Sequence, residues 1–226
     1  MNKEIEHLIA TNEKALEYFQ QELLKSKEAL DYLKDRKISE ETIKTFKIGY
    51  APENSLYEWH LSNRLIFPFF DVYGNVVGFT GRTISDESPK YRNSKESPIF
   101  QKGRILYGLF QSQEKIKELE FDILVEGQFD VLRLFQEGIT NVVGLSGSSF
   151  TIDQARLLCR YINKVIVVFD SDDAGKKAAK KAFTNLQEIR IKAINIELSE
   201  GEDPDSFVLK NGKEVFLSLI KENRNG

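Results

Sequence analysis

The chain has 226 residues, with 32 Lys plus Arg against 35 Asp plus Glu and a formal net charge of −3, so total charge predicts no blanket affinity for polyanions. At 41% hydrophobic and 30% charged residues it can bury one large core or two small ones, and no apolar run approaches the roughly 18 residues that cross a bilayer. One cysteine, Cys159, and two distant histidines, His7 and His60, exclude an intrachain disulfide, a four-ligand Cys/His zinc site and most histidine-based nucleophile systems.

The N-terminal stretch MNKEIEHLIATNEK lacks the basic-then-apolar order of a signal peptide, so the expected setting is the cytoplasm, away from membranes. Leu16, Phe19, Leu23, Leu24, Leu30 and Leu33 recur at helical spacing among charges, which predicts an amphipathic helical entry. Ser39 before Glu40 and Glu41 reads as an N-cap, and Gly49 with Pro52 as the stop of the helix that follows. From residue 63 the pattern turns β-branched and aromatic (NRLIFPFFDVYGNVVGFTGRTI), with Tyr73-Gly74-Asn75 as a hairpin turn. Seven basic residues (Arg64, Arg82, Lys90, Arg92, Lys95, Lys102, Arg104) face four acids (Asp71, Asp86, Glu87, Glu96) between residues 63 and 110, a local net of +3. The charged stretch 111–120 reads as a helical junction. Beyond it, the apolar runs FDILVEG, NVVGLS, KVIVVFD and IKAINIEL alternate with helical segments, which predicts a parallel sheet with helices on its faces.

In such a sheet ligands sit outside the carboxyl ends of the strands, and acids collect there. The first run ends in Glu126-Gly127 with Asp130 a turn later, the third in Asp170-Ser171-Asp172-Asp173, and the last is followed by Glu200-Gly201-Glu202-Asp203-Pro204-Asp205. Crowded carboxylates raise one another's pKa unless a cation joins them, and all-oxygen ligands select a hard ion, Mg²⁺ with Mn²⁺ able to substitute. Such a cluster suits phosphoryl or nucleotidyl transfer. Taken singly, Asp172 or Asp173 also fits a helix N-cap, and Glu202 to Asp205 a solvated turn. The loop Gly144–Ser149 offers amides and hydroxyls to a phosphate or sugar, or else is a plain turn with Thr151 capping the next helix. The segment SPKYRNSKESPIFQKGRILYG interleaves Lys90, Arg92, Lys95, Lys102 and Arg104 with Tyr91, Phe100 and Tyr107, as single-strand binders do, although an ordinary charged loop reads the same way.

The motifs YLKDRKISEETIKTFKIGYAP, NRLIFPFFDVYGNVVGFTGR, SPKYRNSKESPIFQKGRILYG, EGQFDVL, FDSDDAG and GEDPD resemble the catalytic core of the bacterial DnaG-type primases, over residues 15–216. The resemblance implies an α+β N-terminal subdomain of helices and a small antiparallel sheet over 1–118, with a basic nucleic-acid-binding surface. An α/β Toprim domain with a parallel central sheet is expected over 119–226. It implies a DNA-directed RNA polymerase that makes short primers in replication, with Mg²⁺ or Mn²⁺ and no zinc site. Its partners would be single-stranded DNA template, RNA primer and ribonucleoside triphosphates, with a replicative helicase reached through a domain not carried here.

By position, Glu126 would be general base or metal ligand and Asp130 its supporting acid. Asp170 and Asp172 would hold the ions, helped by Asp203 and Asp205. Arg64, Arg82, Lys90, Tyr91, Asn93 and Lys102 would line the groove for template and triphosphate. Gln128-Phe129 stand where the family often has Tyr-Met, and Ser171 where Gly is frequent. One cysteine and an end at Gly226 leave no room for the family's zinc-binding, helical and helicase-binding parts, so an excised or minimal core is expected. The competing readings are another Toprim nuclease or topoisomerase, a receiver domain, and a non-catalytic nucleic-acid-binding fragment.

Overall fold

The structure, a computed structural model, describes residues 3–145 and 149–224. They form two compact units, one ending at Lys102 and one beginning at Gly103. Helix α1 (Lys3–Lys25) buries Ala15, Leu16, Phe19 and Leu23, as its periodicity predicts, while Leu24 stands exposed. Ser26 caps α2 (Lys27–Asp35) by accepting from Ala29 N, and Ser39 caps α3 (Glu40–Thr45) from Thr42 N. A four-stranded antiparallel sheet follows, β1 (Gly49–Ala51), β2 (Arg64–Phe70), β3 (Val76–Thr83) and β4 (Tyr91–Asn93), paired in that order.

Gly49, expected as a helix stop, instead opens β1, because a Cβ there would lie 2.5 Å from Phe19 Cβ. Glycine is what lets α1 lie directly on the strand. The predicted hairpin is present: Asp71 Oδ1 accepts from Tyr73 N and Asn75 N, both at 2.9 Å, and Gly74 takes the positive φ of 89°. Phe19, Leu16 and Ala15 pack with Ala51, Leu61, Ile66, Phe70, Val76 and Phe79 into the core of this unit. The Phe19 and Phe79 rings meet edge to face at 5.3 Å.

The second unit opens with α4 (Leu109–Leu119) and continues as β5 (Asp122–Val125), α5 (Gln128–Gln136), β6 (Val142–Gly144), α6 (Ile152–Leu158), β7 (Lys164–Val167), α7 (Asp173–Glu188) and β8 (Lys192–Asn195). The strands are parallel, in the order β6-β5-β7-β8. The chain leaves β5 toward β6 and leaves β7 toward β8, so the switch point of the sheet falls between the carboxyl ends of β5 and β7. Two closing helices, α8 (Pro204–Asn211) and α9 (Lys213–Arg224), complete the unit.

The second compact unit begins at Gly103, so residues 103–118, read from the sequence with the N-terminal subdomain, pack within it. Residues 103–119 belong to the parallel sheet: Tyr107 and Gly144 exchange backbone hydrogen bonds at 2.9 Å, and Ser112 Oγ donates to Val142 O at 2.8 Å. The charges of α4 line one face, while Ser112 and Ile116 are buried on the other.

Candidate active site

Glu126 follows β5 and Asp170 follows β7, so the switch point itself brings the first two acids together. Asp170 N donates to Glu126 Oε1 at 3.1 Å. Burial first, then the nearby Asp170 and Asp172 carboxylates, push Glu126 up to about 7, against the stabilising amide of Asp170. Asp172 caps α7, accepting from Gly175 N at 2.7 Å. A Cβ at Gly175 would stand 2.9 Å from Glu126 Oε1 and closer still to the Asp170 carbonyl, so glycine alone keeps the space between the two loops clear. Beside Asp170, toward β8, lies a cavity of about 250 Å³ lined by Ser171, Lys176, Asn195, Glu197 and Glu200 among others.

The remaining acids hold these loops in place. Asp130, on α5, accepts from Gly127 N at 2.8 Å through one oxygen and from Asp205 N at 3.2 Å through the other. Burial, with Asp203 and Asp170 adding to it, holds the Asp130 carboxyl well above its ordinary range. Asp205, expected among the metal ligands, is 6% exposed and ion-paired with Arg133 Nε at 2.8 Å, so its carboxylate is turned into the α5–α8 contact. Asp203 caps α8, accepting from Ser206 N at 2.7 Å. Ser171 ties the second acidic loop to the third: its N donates to Glu202 O at 3.2 Å, its Oγ donates to the same carbonyl at 3.0 Å, and Glu202 N donates back to Oγ at 3.1 Å.

Arg133 is not among the expected site residues, and Ser171 and Glu202 enter the sequence reading only as members of the acidic clusters, with no role of their own. A lone Arg inside DVLRLF is a readable sign of a buried ion pair. The Ser171 contact has no local sequence signal. Of the loop Gly144–Ser149, residues 146–148 lie outside the described residues. Thr151 does cap α6, accepting from Gln154 N at 3.0 Å.

Among the described residues no three Asp, Glu, His or Cys side chains converge closely enough to hold an ion as they stand. The donors nevertheless fit a hard cation in kind. Glu126 and Asp170 adjoin, the Asp170 charge adds to the burial that raises the Glu126 pKa, and Mg²⁺ is held through one or two carboxylates with the rest of its shell left to water and phosphate.

The basic residues of the first unit divide into buried and accessible. Arg64, expected in a groove, is fully buried: Nη1 donates to Lys90 O at 3.1 Å and Nη2 lies 3.5 Å from Glu87. Burial and then Arg92 lower its pKa, Glu87 opposing. Arg82, 6% exposed, is stacked between Tyr32 and Tyr91, with centroid distances of 5.1 and 5.7 Å. Together with Thr83, Glu87 and Lys90 it lines a cavity of about 430 Å³. Asn93 pairs with Thr80 across β3 and β4, and its carbonyl meets His60 Nε2 at 3.2 Å. Lys102 is half-buried, which lowers its pKa.

A four-stranded parallel sheet with acids at its switch point and a following D-x-D helix defines a Toprim-like domain, and the model of that description matches residues 123–208. The model of the DNA primase catalytic core, N-terminal domain, matches residues 18–61 and 54–113. The chain is 40% identical to the DNA primase of Aquifex aeolicus over 239 residues, covering 93% of this chain and 48% of that protein. It is 38% identical to the DNA primase of Clostridium acetobutylicum, covering 97% and 42%. Among solved structures, the zinc-binding and RNA polymerase domains of the Aquifex aeolicus primase superpose with a TM-score of 0.90 at 37% identity, over 95% of this chain and 60% of that one. A DnaG primase catalytic domain bound to ssDNA superposes with a TM-score of 0.88 at 33% identity, over 98% and 83%. The chain belongs to the DnaG primase catalytic-core family. It spans about half or less of the length of the curated relatives it matches.

Proposed function

We propose that this chain is the RNA-polymerising core of a primase, a DNA-directed RNA polymerase that lays short primers on single-stranded DNA during replication, in the cytoplasm. The observation that carries this reading is Glu126 against Asp170 at the switch point of a Toprim sheet, in a chain whose first unit is of the primase type. A bound Mg²⁺, or Mn²⁺ in its place, supplies Lewis-acid activation of the primer 3′-hydroxyl and neutralises charge on the departing pyrophosphate.

Asp170 and Asp172 would hold the ions, with Asp203 assisting from the third loop. Glu126, with its pKa near 7, is a ligand or the base that takes the hydroxyl proton. Asp130 and Asp205 serve through the backbone and Arg133. Template, primer and ribonucleoside triphosphates meet Lys90, Tyr91, Asn93 and Lys102, with Arg82 presenting the stacked edge of its guanidinium. Arg64 shapes this surface from beneath through the Lys90 carbonyl. A replicative helicase would be reached through parts of the protein beyond this core.

The test is incorporation of labelled ribonucleotides on single-stranded DNA with Mg²⁺ or Mn²⁺, with and without an annealed primer. Metal-dependent extension in the wild type, lost in Glu126→Gln and in Asp170→Asn, is expected. Absence of incorporation from a folded wild-type protein under both conditions would reject the polymerase reading.

A further inference from the structure

Helix α7 carries its lysines where helix stability does not want them. Its core side is Gly175, Ala179, Ala182 and Leu186. Lys176 and Lys180 form one column beside that face and Lys177 and Lys181 a second opposite it, all four exposed. Like charges at i and i+4 repel, and lysines in the first half of a helix oppose its macrodipole. The last turn, where lysine would help, carries no basic residue. Nor are these charges compensated: of the described residues, none forms an ion pair with these four lysines. Asp172 and Asp173 stand one turn before Lys176 and Lys177 yet form no ion pair with them, whereas Lys25–Glu22, Lys115–Glu118 and Lys117–Glu114 do pair within a turn. Local rules broken without a structural return mark function.

The placement says which function. Helix α7 is capped by Asp172, and Lys176 lines the cavity that Asp170 and Ser171 also line. Lys180 then lies one turn, about 6 Å, further along the axis. A chain of net charge −3 therefore places four exposed cations without ion pairs in two adjacent columns that start near its acidic centre, where a polyanionic strand would otherwise be repelled.

We propose that this face of α7 binds the sugar-phosphate backbone of a nucleic-acid strand running away from the acidic site, holding it through phosphates without reading its sequence. The proposal rests on the polymerase reading above. Its site, however, is separate from the basic residues of the first unit.

The full chain and the variant Lys176→Ala/Lys177→Ala/Lys180→Ala/Lys181→Ala are compared for binding of a labelled single-stranded DNA by fluorescence anisotropy from 50 to 200 mM salt. Lys192→Ala/Lys221→Ala, two exposed lysines elsewhere on the same unit, serves as the charge control. Removing one lysine–phosphate pairing reduces the slope of log K against log salt by about 0.7 for a single strand. If the variant removes at least two such pairings, its fall in affinity over this salt range becomes about sevenfold smaller than that of the wild type. Alanine is the best helix former, so the variant melts no lower than the wild type. A slope no different from that of the control overturns the proposal and leaves the face as solvated surface. Primer extension by the wild type separates the two readings: extension with an unchanged slope rejects only the α7 face. A reduced slope without extension keeps the face as a strand-binding surface and rejects the polymerase.

Discussion

Ser171→Ala is the perturbation that isolates how the acidic loops are held. It removes the Oγ that donates to Glu202 O at 3.0 Å and accepts from Glu202 N at 3.1 Å, and it keeps the backbone bond of 3.2 Å between the same residues. Glu202 N also donates to Ser199 O at 3.0 Å, so it is not orphaned and the lower half of the usual range applies. At about 0.5–1 kcal/mol for each of two bonds, the tie loses about 1–2 kcal/mol. Glycine at the same position adds about 0.5–1 kcal/mol by freeing the unfolded backbone. If the tie exists to order the second and third acidic loops for a cation, most of that loss appears as weaker binding. The dissociation constant for Mn²⁺, followed by the signal of free ion in electron paramagnetic resonance, then rises about threefold to tenfold in Ser171→Ala and more in Ser171→Gly. The metal-free melting temperature falls only by a few degrees. Lower melting with unchanged Mn²⁺ affinity would make the tie a matter of folding alone and refute the reasoning.

Three further outcomes follow from the site. Glu126 has its proton held up to about pH 7, so a cation binding there must displace it: Mn²⁺ affinity should fall about tenfold per pH unit below 7 and level off above, and Glu126→Gln should flatten that dependence in titrations from pH 5.5 to 8. Arg133→Ala strands the Asp205 carboxylate in a site 6% exposed and should cost about 3–5 kcal/mol in denaturant unfolding, with Asp205→Asn and the double variant showing strong coupling. Asp122, at the start of β5, is fully buried with neither oxygen hydrogen-bonded to another group, and burial, offset only in part by its own backbone amide, holds its pKa well above 3.8. The folded state therefore keeps a proton that the unfolded chain releases, and stability falls as pH rises from the unfolded value through the folded one. Asp122→Val should stabilise the protein by about 1–3 kcal/mol, more at pH 8 than at pH 5, by thermal unfolding.

What the sequence discloses follows the range of the forces involved. Strands β5, β6 and β7 and their helices are legible because burial on both faces writes continuous apolar runs, and the acids are legible because each cluster follows a strand. Strand β1 is not legible: three residues carry no period, and Gly49 is needed only because Phe19 arrives from 30 positions away. That residues 103–119 pack with the second unit is not legible, because the contacts that hold them there, Ser112 to Val142 and Tyr107 to Gly144, form only in three dimensions. Arg64 has the composition of a groove residue but the environment of a core one, its partners Lys90 and Glu87 being placed by a loop no pattern describes. Family resemblance places residues in alignment positions. It does not say which of them face solvent.

The acids thereby separate into two kinds by what neutralises them. Asp130 and Asp205 are answered within the protein, by the amides of Gly127 and Asp205 and by Arg133, and their burial is a structural arrangement that needs nothing further. Glu126 is answered only in part: one hydrogen bond of 3.1 Å from Asp170 N stabilises its carboxylate, while burial and the Asp170 and Asp172 charges raise the cost of ionising it. A fold that stiffens its loops with buried ties, while setting Glu126 and Asp170 side by side at the switch point, raises the cost of ionising Glu126, a cost that a proton relieves below about pH 7 and a cation would relieve above it. That difference between Asp130 and Asp205 on one side and Glu126 on the other, rather than the number of acids, is why the proposed chemical centre is set at Glu126 and its neighbour Asp170.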